Sequence, residues 1–176
     1  MTSTRSAIQI TALGEGTVRR TLVVATAALY AALYAALTIA FGQIGYGGIN
    51  FRVANALLGL IPLIGWPAVI GQGFGVLLAN AASPYSLDTL NVVPSFVFAW
   101  VIWKLRKVSV ILGLTLYSLA LGASVSLVIG YPNLSLVYSL FPIVTLGIFL
   151  ATTVLGYFLY RAVGRSGVLQ RRFGTG

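Results

Sequence analysis

Arg52 stands alone between two apolar segments, inside the run Gly45-Tyr46-Gly47-Gly48-Ile49-Asn50-Phe51-Arg52-Val53-Ala54-Asn55-Ala56-Leu57. A guanidinium in such a place is costly unless it has a partner, a ligand or water, so it marks a functional site by default. One of the chain's two acids, Asp88, follows after the next apolar stretch, and the other, Glu15, belongs to the N-terminal tail. An Arg52–Asp88 pair either coordinates a ligand or neutralises itself. Asn50, Asn55, Asn80, Ser83, Asn91 and Ser95 fall nearby in the sequence and bring paired donors and acceptors. Tyr46, Phe51, Tyr85 and Tyr131 offer ring faces, which suit stacking on a flat heterocycle or an interfacial aromatic belt.

Other chemistry is excluded by residue type. With no Cys and no His there is no zinc site, no thiol nucleophile, no haem ligand and no Ser-His-Asp triad. An enzyme would be left with Asp88, a Ser or a Tyr. Gly71, Gly73 and Gly75 sit in an apolar segment with no Lys-Ser or Lys-Thr after them, so they read as close helix packing rather than a phosphate loop. No cofactor or metal is expected, and ATP-driven work would require another subunit.

The elements that must position Arg52 and Asp88 are membrane helices. The chain has 176 residues, 59% of them hydrophobic and only 7% charged, with a mean hydropathy of +0.98. Soluble domains carry about 25% charged residues. The apolar runs are continuous rather than alternating, which selects helices over a barrel. The expected fold is an all-α integral membrane protein, a compact bundle of six transmembrane helices with both termini cytoplasmic, in the plasma membrane.

Residues 1–20 read as a cytoplasmic tail, residues 21–161 as the transmembrane substrate-binding domain and residues 162–176 as a basic cytoplasmic tail. The tail before the first span is longer than a signal peptide's charged region, and the apolar run exceeds a normal h-region. The expected spans are Thr21–Phe41, Val53–Ile64, Trp66–Ala82, Leu90–Trp103, Val108–Gly130 and Leu136–Tyr160, with a turn at Tyr131-Pro132-Asn133. Charge parity decides that Val53–Ile64 and Trp66–Ala82 are two helices, because one would put Lys104, Arg106 and Lys107 outside. With six spans every Lys and Arg of the eleven is cytoplasmic except Arg52, so the net charge of +9 needs no nucleic-acid partner. Arg52 and Asp88 then share the extracellular side, where Asn80 is the better ligand candidate and Gln72 reads as interhelical glue.

The first span carries alanines at four-residue spacing in two rows: Ala27, Ala31 and Ala35, and Ala28, Ala32, Ala36 and Ala40. Such rows let another helix approach closely, either within the bundle or from a partner subunit.

Six short helices, an alanine rail and an outward polar pocket resemble the substrate-binding S-components of energy-coupling factor (ECF) transporters. More narrowly, Gly48-Ile49-Asn50-Phe51-Arg52-Val53-Ala54-Asn55-Ala56-Leu57 resembles the start of the QueT family pattern. The segment from Gly75 to Asp88 resembles its next block, with Asn80, Ser83, Pro84 and Asp88 in matching places. The resemblance implies a subunit that binds a vitamin-like heterocycle, a queuosine precursor of the 7-deazaguanine type, through Arg52, Asn55, Asn80, Asp88, Asn50, Phe51, Tyr85 and Tyr46. It implies docking through Ala27, Ala31, Ala35, Ala28, Ala32 and Ala36 on a transmembrane coupling protein served by two ATPases. One residue departs from the pattern. The family has a Glu three residues after the Arg, and this chain has Asn55, which suits a ligand with a different edge or without a cationic amine. A stand-alone carrier or channel is the alternative, but beyond Gln72 little lines a path to the cytoplasmic half.

Overall fold

A computed structural model of the chain describes residues 2–46, 49–85 and 87–166, with side chains from residue 20 to residue 165, and among them there are helices and turns but no strand. Gly47, Gly48 and Ser86, the side chains of Arg5, Glu15 and Arg19, and the tail with Arg171 and Arg172 lie outside the described residues.

The N-terminal tail and first span form one helix, α1 (Thr2–Ala40), where a polar tail followed by a separate helix was expected. A single turn, α2 (Gly42–Gly45), follows it. The short segment Val53–Ile64 is a 3₁₀ helix over Val53–Leu60 that tightens into α3 (Ile61–Ile64). Gly65, at φ +85°, then breaks the chain into α4 (Trp66–Asn80), so the two helices expected from charge parity are separate. A 3₁₀ turn at Asp88–Asn91 leads into α5 (Val92–Leu105), and α6 (Val110–Gly130) is capped by the Ser109 hydroxyl. Asn133 caps α7 (Leu134–Phe149) by accepting from the Ser135 and Leu136 amides. A π-helical stretch, Leu150–Leu155, joins α7 to α8 (Gly156–Ser166).

Among the described residues, three stretches are long and apolar enough to cross a membrane: Arg20–Ala40, Val110–Gly130 and Leu134–Arg165. The others are shorter. With 15 residues α4 reaches about 22 Å, and the 3₁₀ segment with α3 reaches about the same, against a hydrocarbon core of about 30 Å.

Glycines let these helices touch and thereby reveal their directions. A Cβ on Gly71 would lie 2.7 Å from the Ala27 carbonyl oxygen, and one on Gly75 would lie 3.2 Å from that of Ala31. Residue numbers rise together, so α1 and α4 run parallel. Gly113 faces Ile102 and Gly130 faces Val137, so α5, α6 and α7 alternate in direction. Gly147 packs on Ile49, Gly59 on Gly156, and Gly164 near Leu63, so the 3₁₀ segment runs alongside α7 and α8. Consequently Arg20, Lys104, Arg106, Lys107, Arg161 and Arg165 gather at one end of the bundle, and Arg52 and Asp88 lie toward the other.

The same packing separates the two alanine rows. Ala27, Ala31 and Ala35 are buried against α4, with Ala27 and Ala31 at the floor of the groove between the two helices. The α4 glycines draw that row inward until backbone meets backbone. Ala28, Ala32, Ala36 and Ala40 remain exposed.

Gly71→Val should therefore destabilise the protein by about 1–3 kcal/mol, the usual cost of overpacking, because the obstruction is backbone. Thermal unfolding in detergent checks this, with the exposed Ala28→Leu as a control that leaves the midpoint unchanged.

Candidate binding site

The site begins with a change of backbone direction. Asn50 adopts φ +50°, a left-handed conformation that Asn tolerates better than most side chains. The chain then turns into the 3₁₀ helix, where the Asn55 amide donates to the Arg52 carbonyl at 2.9 Å, and the Arg52 side chain points into the bundle.

Inside, Arg52 is 5% exposed and Asp88 2% exposed. The Arg52 NH2 group donates to Asp88 Oδ2 at 2.8 Å, and NH1 donates to Asn80 Oδ1 at 2.8 Å. Asn80 Nδ2 donates in turn to the Asp88 carbonyl at 2.7 Å, and Asn91 Nδ2 donates to Asp88 Oδ1 at 2.6 Å. The Ser124 hydroxyl closes the chain by donating to Asn91 Oδ1. From the solvent side, the Tyr46 ring lies 5.1 Å from the Arg52 guanidinium carbon, and its hydroxyl donates to the Ala79 carbonyl. Both charges are thus buried, paired and hydrogen-bonded, the condition under which burial of an ion pair is tolerated.

A second layer lies deeper. The Tyr34 hydroxyl donates to Asn55 Oδ1 at 2.7 Å. Gln72 Nε2 donates to the Tyr117 hydroxyl at 3.2 Å, which donates to Ser95 Oγ at 3.1 Å. Between the layers is a cavity of about 10 Å³, lined by Tyr34, Asn50, Arg52, Asn55, Asn91 and Ser95 above an apolar floor that includes Leu121 and Ile148. Such a volume suits one water molecule. No heterocycle fits that volume without rearrangement of its lining.

The cluster is recessed. Asn91 meets Ser124, and α6 continues six residues beyond it to Gly130, about 9 Å of helix. Irregular backbone at that depth is tolerated only where protein or water covers it. The short helices α4 and α5 leave the space that the cluster fills.

The structure thus brings together Arg52, Asp88, Asn80, Asn50, Asn55 and Tyr46, with Asn91 and Ser95. Five expected ligand residues are not among those lining the cavity: Asp88, Asn80 and Tyr46 contact Arg52 instead, and Phe51 and Tyr85 are the other two. Phe51 is half-buried beside it, and the Tyr85 main chain serves the local turn, its amide donating to Ser83 Oγ and its carbonyl accepting from the Asp88 amide. Tyr131 is 74% exposed and distant in role. Tyr34, Tyr117 and Ser124 were missed. A hydroxyl amid an apolar span was their only signal, and spans carry many such groups.

The fold and site define a helical membrane protein with a paired charge cluster buried near the end of an apolar bundle. The model of the QueT transporter family matches residues 24–165, and the chain belongs to that family. Membership makes it a transporter rather than an enzyme. Comparison with curated proteins and with solved structures gives no match.

Asp88→Asn, which leaves Arg52 buried and unpaired, should cost about 3–5 kcal/mol. Arg52→Gln combined with Asp88→Asn should be less costly than the sum of the two single changes. A double-mutant cycle read by thermal unfolding checks this, and strict additivity would show that the ion pair contributes no coupling.

Proposed function

We propose that this chain is the substrate-binding S-component of an ECF-type importer, capturing a vitamin-like heterocycle outside the cell for ATP-driven uptake by partner subunits. The proposed ligand is a queuosine precursor of the 7-deazaguanine type. The observation that carries the reading is the recessed polar cluster of Arg52, Asp88, Asn80 and Asn91 at the end opposite the basic residues, in a chain of a transporter family.

Under this reading the chain crosses the plasma membrane six times, with the basic end and both termini cytoplasmic by the positive-inside rule. The cluster then opens outward. The shorter segments cross because protein at the outer end covers their ends. Capture proceeds by parting of the side chains that line the cavity and entry of the heterocycle between the two polar layers, beside Tyr46. Phe51 and Tyr85, outside the closed cavity, are positioned to stack only once it opens. Binding and release are the whole of the chemistry, and no bond is broken.

The coupling protein, with its two ATPases, docks on the exposed row Ala28, Ala32 and Ala36. Ala28 and Ala32, together with Ala27 and Ala31, line an apolar groove between α1 and α4 with a volume of about 450 Å³, which includes Val24, Ile70 and Phe74. The inner row holds the bundle together and leaves the outer row flat.

A ligand at a hundred times its dissociation constant stabilises the native state by about 2.7 kcal/mol, so a 7-deazaguanine should raise the unfolding midpoint of the detergent-purified protein by several degrees. Absence of a shift with deazaguanines, nucleobases and vitamins alike, in folded protein, would overturn the binding-subunit reading. Ala32→Leu should reduce co-purification with the coupling protein and ATPases at least tenfold and leave the ligand-induced shift intact. Loss of the shift with intact assembly would reverse that division of labour.

A further inference from the structure

We infer that the site selects an uncharged ligand, one that offers an acceptor to Arg52 Nε–H and a donor to Asn50 Oδ1. The inference rests on the substrate-binding reading above and concerns what that substrate carries.

The first ground is charge balance. The chain has two acids, and Glu15 belongs to the α1 segment before Arg20, on the side of the basic end. Asp88 is therefore the one carboxylate available to a ligand in this half, and neither of its oxygens is free. Oδ2 accepts from Arg52 and Oδ1 from Asn91, at 2.8 and 2.6 Å, with the side chain almost fully buried. A cationic ligand group would find no anion to pair with, and an anionic one would find a guanidinium already neutralised. An unpaired charge in so dry a place carries a penalty of several kcal/mol. Asn55, which lines the same cavity, is neutral, and its Oδ1 already accepts from Tyr34.

The second ground is what remains unpaired. Among the described residues, Arg52 Nε and Asn50 Oδ1 are buried without a hydrogen-bond partner, and both residues line the same cavity. One is a donor and the other an acceptor. A neutral lactam-like edge, with a carbonyl beside an N–H, satisfies both, whereas an apolar group would leave each unsatisfied at about 1–3 kcal/mol.

The test compares two ligands that share one 7-deazaguanine ring, one with an uncharged nitrile at position 7 and one with an aminomethyl group, cationic at neutral pH. Affinity is measured by titration calorimetry on the full-length protein in detergent, with thermal unfolding as the control for fold. The nitrile should bind at least tenfold more tightly. Asn50→Asp, nearly isosteric and equally tolerant of the left-handed backbone, should move the preference toward the amine at least tenfold, and Asn50→Ala should weaken both ligands. Equal or tighter binding of the amine by the unaltered protein would overturn the inference and leave the substrate reading standing. Binding of neither ligand to folded protein would remove both. A preference unmoved by Asn50→Asp would overturn the charge-balance ground, and binding of both ligands unweakened by Asn50→Ala would overturn the part given to Asn50.

Discussion

Charge buried in an apolar bundle is the constraint on which the rest of this structure depends. Arg52 and Asp88 are 36 residues apart and reach the same point from opposite sides of α4. Each needs the other, and their remaining groups need Asn80 and Asn91. Four side chains from a loop, the end of α4 and a 3₁₀ turn must therefore meet at one depth. The helices around them stop short to make this meeting, which is why α4 and α5 are shorter than a bilayer is thick while α6 runs past the cluster. Asn50 serves the same end, since its left-handed backbone turns Arg52 inward.

The apolar frame that holds the cluster is set by close approach rather than by side-chain bulk. Gly71 and Gly75 bring α4 against the α1 backbone, Gly59 and Gly156 bring the 3₁₀ segment against α8, and Gly147 seats the carbonyl of Ile49. Within lipid there is no hydrophobic gain from helix association, so contact of this kind carries much of the packing. It also places the loop that bears Arg52 on α7. The frame and the polar cluster are thus joined close to Arg52. Alanine rows on the two sides of α1 divide the labour, one facing the bundle and one facing outward.

Much of this was legible in the residues. Low charge and continuous apolar runs established a helical membrane protein, and the placement of Lys and Arg separated the Val53–Ile64 segment from α4. Arg52, Asp88, Asn50, Asn55, Asn80 and Tyr46 stood out because polar groups are costly in lipid and have few reasons to be there. Phe51 and Tyr85 rested on ring chemistry and on the family resemblance, and neither lines the closed cavity, because ring chemistry does not say which way a side chain points. Continuation of α1 through the polar tail escaped notice because hydropathy reports where lipid ends and not where hydrogen bonding ends.

Composition and charge placement determine the solvent of this protein and the side on which its charges gather, since transfer energies are local and each residue carries its own. Which groups pair is a different matter. The two alanine rows are indistinguishable in spacing, and only the approach of the α4 glycines makes one internal. Likewise, the sequence holds an Arg, an Asp and several amides with many ways to combine. Their assembly into a charge-neutral cluster with both carboxylate oxygens engaged depends on distances between segments far apart in the chain. Pair energies are set by those distances and by burial, and both come into being with the packed bundle.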